Sequence, residues 1–108
     1  MPALLVLSTT PTRQEAEKIA HTLVQKKLAA CVNIVGPIKS IYRWQGKTEQ
    51  AEEHLLIIKT TTQAYPALQQ EIRKLHSYQL PEIIALPIQH GLPQYLEWIH
   101  AETQDREG

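Results

Sequence analysis

The sequence has one cysteine, 4 glycines, no excess of either charge and no long apolar run. Because Cys31 is the single cysteine, neither a disulfide framework nor a four-cysteine zinc site can form within one chain. The few glycines form no glycine-rich loop before a helix, so a phosphate site built from backbone N–H groups is not indicated. The longest apolar runs, such as residues 3–7 and 83–88, fall far short of the ~20 residues that a membrane-spanning helix needs.

The balance of charges excludes a further class of partner. Lysine plus arginine number 11, and aspartate plus glutamate also number 11. A general nucleic-acid binder is normally basic, so nucleic acid is not an expected partner. The same neutrality leaves little electrostatic repulsion between copies of the chain, which permits self-association.

What is present fits one soluble domain. A length of 108 residues with 43% hydrophobic residues is typical of a single folded unit. We expect one domain over residues 1–108, with a polar tail at 103–108 that frays. No basic-then-apolar leader precedes the first strand pattern, so we expect a cytoplasmic protein that does not enter a membrane.

The order of apolar patterns predicts seven secondary-structure elements. Four segments have the composition of strands, with a break at Gly36-Pro37 in the second and a hairpin tip at Gln45-Gly46: residues 3–8, 28–44, 55–58 and 82–88. Three segments have helical spacing: residues 12–27, which begin with a Thr12/Glu15 capping box, a segment that begins after Thr62 as its N-cap, and a segment after Gly91.

The resulting order β-α-β-β-α-β-α is typical of an α+β, ferredoxin-like fold with an additional C-terminal helix. Right-handed crossovers place both main helices on one face of a four-stranded antiparallel sheet. Too many strand residues are apolar for two short helices to cover: Leu4, Val6, Val32, Ile34, Ile57 and Ile83. The third helix is expected to cover part of the second face, and a second copy of the chain is the natural candidate for the rest.

Candidate metal ligands are present but scattered. They are Cys31, Met1 and five histidines, none of which forms a C-x-x-C, H-x-H or H-E-x-x-H cluster. A soft ion such as Cu(I) would favour the Cys31 thiolate, whereas the alternative interpretation is a small cysteine buried in a strand. The sequence contains no nucleophile–base pair and no organic-cofactor motif, so we do not expect an enzyme.

A second set of candidates lies at strand ends and in loops, where sites tend to occur. These residues combine aromatic surface with both signs of charge: Tyr42, Arg43, Trp44, Lys59, His76, Tyr78 and Glu82. One hypothesis is that they converge on a small pocket between subunits. The alternative is that Tyr42 and Trp44 are interface packing and that Lys59 and Glu82 form an ordinary ion pair.

Five ordered blocks resemble the CutA family of divalent-cation tolerance proteins: AACVNI at 29–34, SIYRWQGK at 40–47, LLIIKT at 55–60, HSYQLPEI at 76–83 and YLEWI at 95–99. The resemblance implies a ferredoxin-like fold in a tight homotrimer, similar to the trimer of PII signalling proteins. It also implies a cytoplasmic bacterial protein linked to tolerance of copper and other divalent cations. We expect the trimer to assemble through the long hairpin and the exposed sheet face.

The resemblance implies no catalytic residues. The Cys31 position matches the cysteine-bearing strand of the family, so Cys31 and His76 are the candidate ligands of copper or another divalent cation. Because this chain has no second cysteine, histidine, methionine or a neighbouring subunit would have to complete the site. The other hypothesis is a PII-like signalling or scaffolding trimer that binds a small anionic effector between subunits and has no metal role.

Overall fold

The computed structural model describes residues 2–104 as one antiparallel sheet with three helices. The elements follow the predicted order: β1 (Ala3–Thr10), α1 (Arg13–Gln25), β2 (Cys31–Trp44), β3 (Lys47–Thr61), α2 (Tyr65–Leu75), β4 (Ile84–Pro87) and α3 (Pro93–Glu102). In the sheet the strands lie in the order β2-β3-β1-β4, and every neighbouring pair is antiparallel. The predicted α+β fold is confirmed.

One face of the sheet is covered by α1 and α2 and forms the main core. Side chains alternate between the faces of a strand, so every second residue of β1 and β3 points towards the helices. Buried strand residues meet the apolar stripes of the two helices: Leu4, Val6, Leu56 and Ile58 from the strands, Ala16, Ile19, Ala20 and Leu23 from α1, and Leu68 and Ile72 from α2. Val24 was expected in this stripe, but it lies on the exposed side of α1.

The opposite face, called here the open face, carries the strand side chains that alternate with those of the helix-side core. Strand pairing aligns its apolar residues across the sheet: Leu5 with Leu86, Leu7 with Ile57 and Ile84, and Leu55 with Val35. Of the six residues expected to overfill the helix side, only Ile57 lies here, because the other five pack into the helix-side core. The expectation that an apolar face remains uncovered holds, but the residues that form it differ.

The third helix covers one end of the open face, as predicted. Ile99 is fully buried against Ala3 and Ala30, and Leu96 and Ile88 pack beside them. The hydroxyl of Thr103 donates to the carbonyl of Ile99, and Thr103 is buried. Thr103 therefore belongs to the helix end and not to a frayed tail, whereas residues 105–108 of the predicted tail lie outside the described residues.

The β2–β3 hairpin extends well beyond the rest of the sheet. Its ladder runs from Cys31 and Lys59 to Trp44 and Lys47, whereas β1 accompanies β3 only from Thr61 to His54. The turn at Gln45 and Gly46 has φ angles of 52° and 80°, and the predicted glycine adopts the second of these without strain. The ladder shifts register between Val35 and Ile38, where the Gly36-Pro37 break was predicted.

Several element boundaries differ from the sequence prediction: β1 (Ala3–Thr10) and β3 (Lys47–Thr61) are longer than the predicted 3–8 and 55–58, and β4 (Ile84–Pro87) is shorter than 82–88. The second helix begins at Tyr65 after Ala64, and the hydroxyl of Thr61, not of Thr62, accepts a hydrogen bond from the N–H of Ala64. The second strand begins at Cys31, because the chain leaves α1 through a turn with Lys27 at φ 60°. At the first helix the Thr12 side chain caps the N–H of Glu15 as predicted, but the Glu15 carboxylate turns to Ser77.

Candidate functional site

The seven residues predicted to converge do not form one pocket within a single chain. By their place in the chain they form three groups: Tyr42, Arg43 and Trp44 at the outer end of the hairpin, Lys59 on the open face, and His76, Tyr78 and Glu82 between α2 and β4. Tyr42 nevertheless lies close enough to Tyr78 to contribute to its raised pKa. The hairpin group is exposed, with Trp44 at 49% of its full accessibility. Arg43 contacts its own turn, since its guanidinium donates to the carbonyl of Gly46 at 3.4 Å.

His76 is the most buried of these residues, and both of its ring nitrogens have partners. The Nε2 atom lies 2.7 Å from the carbonyl oxygen of Thr9, and the N–H of Tyr78 donates to Nδ1 at 3.0 Å. Because a carbonyl accepts and an N–H donates, Nε2 is the donor to Thr9 and Nδ1 the acceptor from Tyr78, and the Glu15 carboxylate lies 3.4 Å from Nδ1. His76 joins the end of α2 to the end of β1, and in this arrangement neither nitrogen has a lone pair for a metal.

Tyr78 forms a second contact from the same loop. Its hydroxyl donates to the Glu53 carboxylate at 2.9 Å, and Glu53 is buried although it lies in a polar run. Burial, as the largest cause, together with the hydrogen bond and the charge of Glu53 raises the pKa of the Tyr78 phenol to about 12. Glu15 accepts from the N–H of Ser77 at 2.9 Å and completes this network. The sequence did not indicate the roles of Glu15 and Glu53 in this network. A run of polar residues does not reveal which glutamate is buried or which residue it contacts.

We expect the ionisation of Tyr78 to be measurable. Its folded pKa of about 12 is above the usual 10.0, so the neutral phenol stabilises the fold below pH 10 and this contribution is lost as pH rises towards 12. In a spectrophotometric titration of tyrosinate, Tyr78→Phe should remove the highest-titrating phenol. Glu53→Gln should lower the pKa of Tyr78 only part of the way, because burial is the larger cause. A Glu53→Gln titration curve identical to that of the unmodified protein would contradict this assignment.

Lys59 belongs to a different cluster, called here the polar corner, which consists of Cys31, Asn33, Lys59 and Tyr95. The ammonium of Lys59 donates to Oδ1 of Asn33 and lies 3.9 Å from Sγ of Cys31, its direct partner across the β2–β3 ladder. Burial raises the pKa of the Tyr95 phenol, and the charge and hydrogen bonding of the adjacent Cys31 raise it further. The structure thus unites Cys31, predicted as a metal ligand, with Lys59, predicted as a pocket residue.

The polar corner lacks acidic groups. Within residues 2–104, no carboxylate lies within 4.0 Å of the Lys59 ammonium, and Lys59 forms no ion pair with Glu82. Over the same residues, no group of three or more His, Cys, Asp or Glu side chains is placed to hold a metal ion. The corner therefore presents a positive charge from Lys59 beside the Cys31 sulfur.

Comparison with known proteins identifies relatives along almost the whole chain. The model of the family described as "CutA1 divalent ion tolerance protein" matches residues 4–102. The divalent-cation tolerance protein CutA of Thermus thermophilus is 50% identical over 99 residues, which are 92% of this chain and 96% of that protein. Protein CutA of Mus musculus is 46% identical over 89% of this chain, but this chain spans only 54% of its length.

Solved structures give the same result. The Thermus thermophilus divalent cation tolerance protein superposes with a TM-score of 0.92 at 48% identity, covering 94% of this chain and 98% of the other. CutA of Xylella fastidiosa superposes with a TM-score of 0.93 at 43% identity, covering 96% of this chain and 100% of the other. These relatives are named as tolerance proteins and not as enzymes.

The names of the relatives place them in more than one compartment. One relative from Arabidopsis thaliana is described as chloroplastic, and a solved structure from Archaeoglobus fulgidus is described as periplasmic. Among residues 2–104 of this chain, none of the helices has the length and apolar character to cross a membrane. The match of the family model to residues 4–102, together with these relatives, shows that the chain belongs to the CutA family of divalent-ion tolerance proteins.

Proposed function

We propose that this protein serves divalent-cation tolerance as a homotrimer that assembles through its open sheet face and its hairpin. The observation that carries the proposal is the open face itself, which is apolar over three strands and covered by α3 only at one end. Three copies, in preference to two, follow from the resemblance to the CutA family.

The apolar character of the open face supports assembly. Ile84 and Leu86 on β4 are about half exposed, at 51% and 48%. They stand in rows with Leu5, Leu7 and Ile57, so the exposed groups are contiguous and not scattered. Burying a large aliphatic side chain stabilises by about 1.5–3 kcal/mol, so several of them covered together would outweigh the entropic cost of association.

The sheet edges and the hairpin offer further contact surface. Both outer strands, β2 and β4, have a free edge whose N–H and C=O groups are unpaired by the sheet of one chain. The hairpin adds aromatic and aliphatic surface far from the core, with Ile41 exposed at 66% beside Tyr42 and Trp44. Large aromatic residues on a projecting arm are typical anchors of interfaces.

Trp44→Ala is expected to weaken the assembly. Trp44 contributes nothing to the core of its own subunit, so the subunit should stay folded when its side chain is truncated. Truncation of an interface anchor to alanine weakens the free energy of association by more than about 1 kcal/mol. Sedimentation over a dilution series should show dissociation at higher concentration than for the unmodified protein. Lys47→Ala, at the position paired with Trp44, is the matched control. An unchanged dissociation profile for Trp44→Ala would place the hairpin end outside the interface.

Native mass spectrometry of the purified chain tests the assembly directly. We expect a trimer without any added metal, because the apolar rows of the open face supply the contact surface themselves. A monomer at micromolar concentration would overturn the proposal.

Copper binding by the assembled protein is the second candidate, and the position of Cys31 on the open face favours it. A thiolate at a surface where subunits meet could share a soft ion with ligands from a neighbour. The Lys59 ammonium 3.9 Å from the sulfur would have to move aside. Cu(I) uptake in fixed stoichiometry, lost in Cys31→Ser, is the expected result under this proposal. Scattered uptake that Cys31→Ser leaves unchanged would overturn it.

We further propose a cytoplasmic setting and a role without catalysis. The single half-buried thiol suits a reducing compartment, and the relatives are named as tolerance proteins and not as enzymes. Fractionation of cells that produce the protein from its own gene tests the first proposal, and recovery outside the cytoplasmic fraction would contradict it.

A further inference from the structure

We propose that a groove along the outer side of α2 is a docking site for an acidic segment of a partner protein. The groove has a volume of about 590 Å³ and is lined by six residues: Leu28, Ala67, Gln70, Glu71, Arg73 and Lys74. It lies on the helix layer, which is formed by α1 and α2 on the side of the sheet opposite the open face. The proposal therefore goes beyond the proposed assembly and uses none of the surfaces that carry it.

The shape of the groove follows from the spacing of residues along α2. Ala67, Gln70, Glu71 and Lys74 recur at intervals of three and four, so they form one stripe of the helix. Leu28, which follows α1 and is 6% exposed, supplies an apolar floor beside this stripe. The stripe extends for roughly 10 Å, since a helix rises about 1.5 Å per residue. An extended peptide advances about 3.3 Å per residue, so roughly three of its residues fit along the groove.

The helix layer differs in charge from the chain as a whole. Residues 13–27 and 65–75 contain six lysines and arginines but three glutamates, whereas the whole chain has 11 residues of each sign. The layer is therefore basic, and the rest of the chain is acidic by the same amount. Such a separation directs a partner of negative charge to one side of a neutral protein.

Three basic residues stand at the groove, around a single carboxylate that lines it. The side chain of Glu71 is only 13% exposed, and its carboxylate accepts from the ammonium of Lys26 at 3.0 Å and lies 4.0 Å from that of Lys74. Among the residues that the structure describes, Arg73 has no carboxylate within 4.0 Å. Its guanidinium can therefore donate two parallel hydrogen bonds to an incoming carboxylate.

The start of α2 adds to the positive potential. Ala67 lies in the first turn of the helix, where the free N–H groups and the helix dipole carry partial positive charge. No acidic residue occupies this turn, and no side chain caps the start of the helix. The groove thus offers the helix dipole near Ala67, cations at Arg73 and Lys74, and the apolar side chain of Leu28. A segment with carboxylates on both sides of an aliphatic residue matches this set.

The open form of the groove favours a protein segment over a small molecule. A small ligand usually buries most of its surface in its site, which a groove open to solvent does not provide. An extended segment instead gains affinity from a row of side chains along its length. The proposed trimer would present three such grooves on its outer side, so a partner with several acidic segments would bind more tightly than one segment alone.

A short peptide tests the groove without knowledge of the natural partner. The probe is Glu-Glu-Leu-Glu-Glu, blocked at both ends, and Gln-Gln-Leu-Gln-Gln is its neutral counterpart. In an NMR titration of the full chain at constant ionic strength, the acidic peptide should shift the amides of Leu28 and Ala67 saturably. The affinity should be on the order of millimolar, as expected for few contacts. The neutral peptide should bind about tenfold more weakly or less, because it lacks the charged hydrogen bonds.

Four variants separate the groove from the general charge of the layer. Arg73→Glu should weaken binding by about tenfold or more, whereas Arg13→Glu, the same change at a residue of α1 that does not line the groove, should have far less effect. Glu71→Gln should strengthen binding, because it removes the carboxylate from the groove and frees Lys26. Ala67→Trp fills the groove at an exposed position without changing the charge, so it should block the peptide in a folded chain.

Four results would overturn the proposal. Equal binding of the neutral peptide, or equal loss in Arg73→Glu and Arg13→Glu, would exclude recognition of carboxylates at the groove. Full binding by Ala67→Trp would show that charge attracts the peptide without entry into the groove. Displacement of the peptide by a single-stranded oligonucleotide at equal concentration of charge would show that the layer attracts any polyanion.

Native mass spectra of the same samples keep the groove separate from the proposed assembly. A monomeric chain that binds the peptide and loses it in Arg73→Glu would refute the trimer and retain the groove. A trimer that shows no saturable binding of the peptide would refute the groove alone.

Discussion

Replacing Ile58 by alanine should destabilise the subunit by about 2–5 kcal/mol, a large part of the roughly 5–15 kcal/mol that holds a typical domain folded. Ile58 is fully buried and lies at the centre of the sheet, paired with Val6 on one side and Val32 on the other. Three carbons removed from this position leave a cavity that β-strands with paired backbones cannot close. Urea denaturation at one fixed protein concentration measures the loss, since the stability of an oligomer depends on concentration.

Val24→Ala is the matched control for this measurement. Val24 is an aliphatic residue on α1 with 43% of its surface exposed, so its truncation should change the free energy of unfolding by no more than about 0.5 kcal/mol. If Ile58→Ala and Val24→Ala unfolded at the same urea concentration, the assignment of Ile58 to the centre of the core would be wrong.

Local sequence signals predicted the elements and their order, because each depends on residues close together in the chain. The Gln45-Gly46 turn, the break at Gly36-Pro37 and the Thr12 cap are of this kind. The start of α2 was placed too early, since Thr62 suits an N-cap, whereas in the structure the N-cap is Ala64 and the hydroxyl of Thr61 accepts from the N–H of Ala64. Propensity alone does not distinguish such neighbours.

The faces of β3 could not be assigned from its sequence. Residues 55–58 are apolar without interruption, so they carry no alternation that separates Ile57 from Ile58. Pairing with β1 decides the matter, because Ile58 then faces the helices and Ile57 the open side. For this reason the sequence predicted an uncovered apolar face but did not show which of the six apolar strand residues lies on it, and only Ile57 does.

The candidate site was less predictable than the fold, because it depends on contacts between distant segments. Cys31 and Lys59 are 28 residues apart and meet only through the register of β2 and β3. His76 has the composition of a ligand in a loop, yet the ends of β1 and α2 enclose it and occupy both nitrogens. In each case the residue type alone suggested a ligand-binding role. The burial and hydrogen-bond partners of the side chain then showed whether it has a structural role or is accessible to a ligand.

Ile57→Arg is expected to abolish the proposed trimer while the subunit stays folded. Ile57 lies near the middle of the open face, between Asn33 on β2 and Leu7 on β1, and is absent from the helix-side core. A guanidinium there would be buried without a partner on association, and it would add a positive charge near Lys59. An unpaired buried charge costs about 3–5 kcal/mol, which corresponds to a loss of association of roughly a hundredfold or more. Sedimentation at micromolar concentration should show monomers with an unchanged circular dichroism spectrum. Val24→Arg adds the same charge to the helix layer and should leave the trimer intact; a trimeric Ile57→Arg would exclude the open face as the interface.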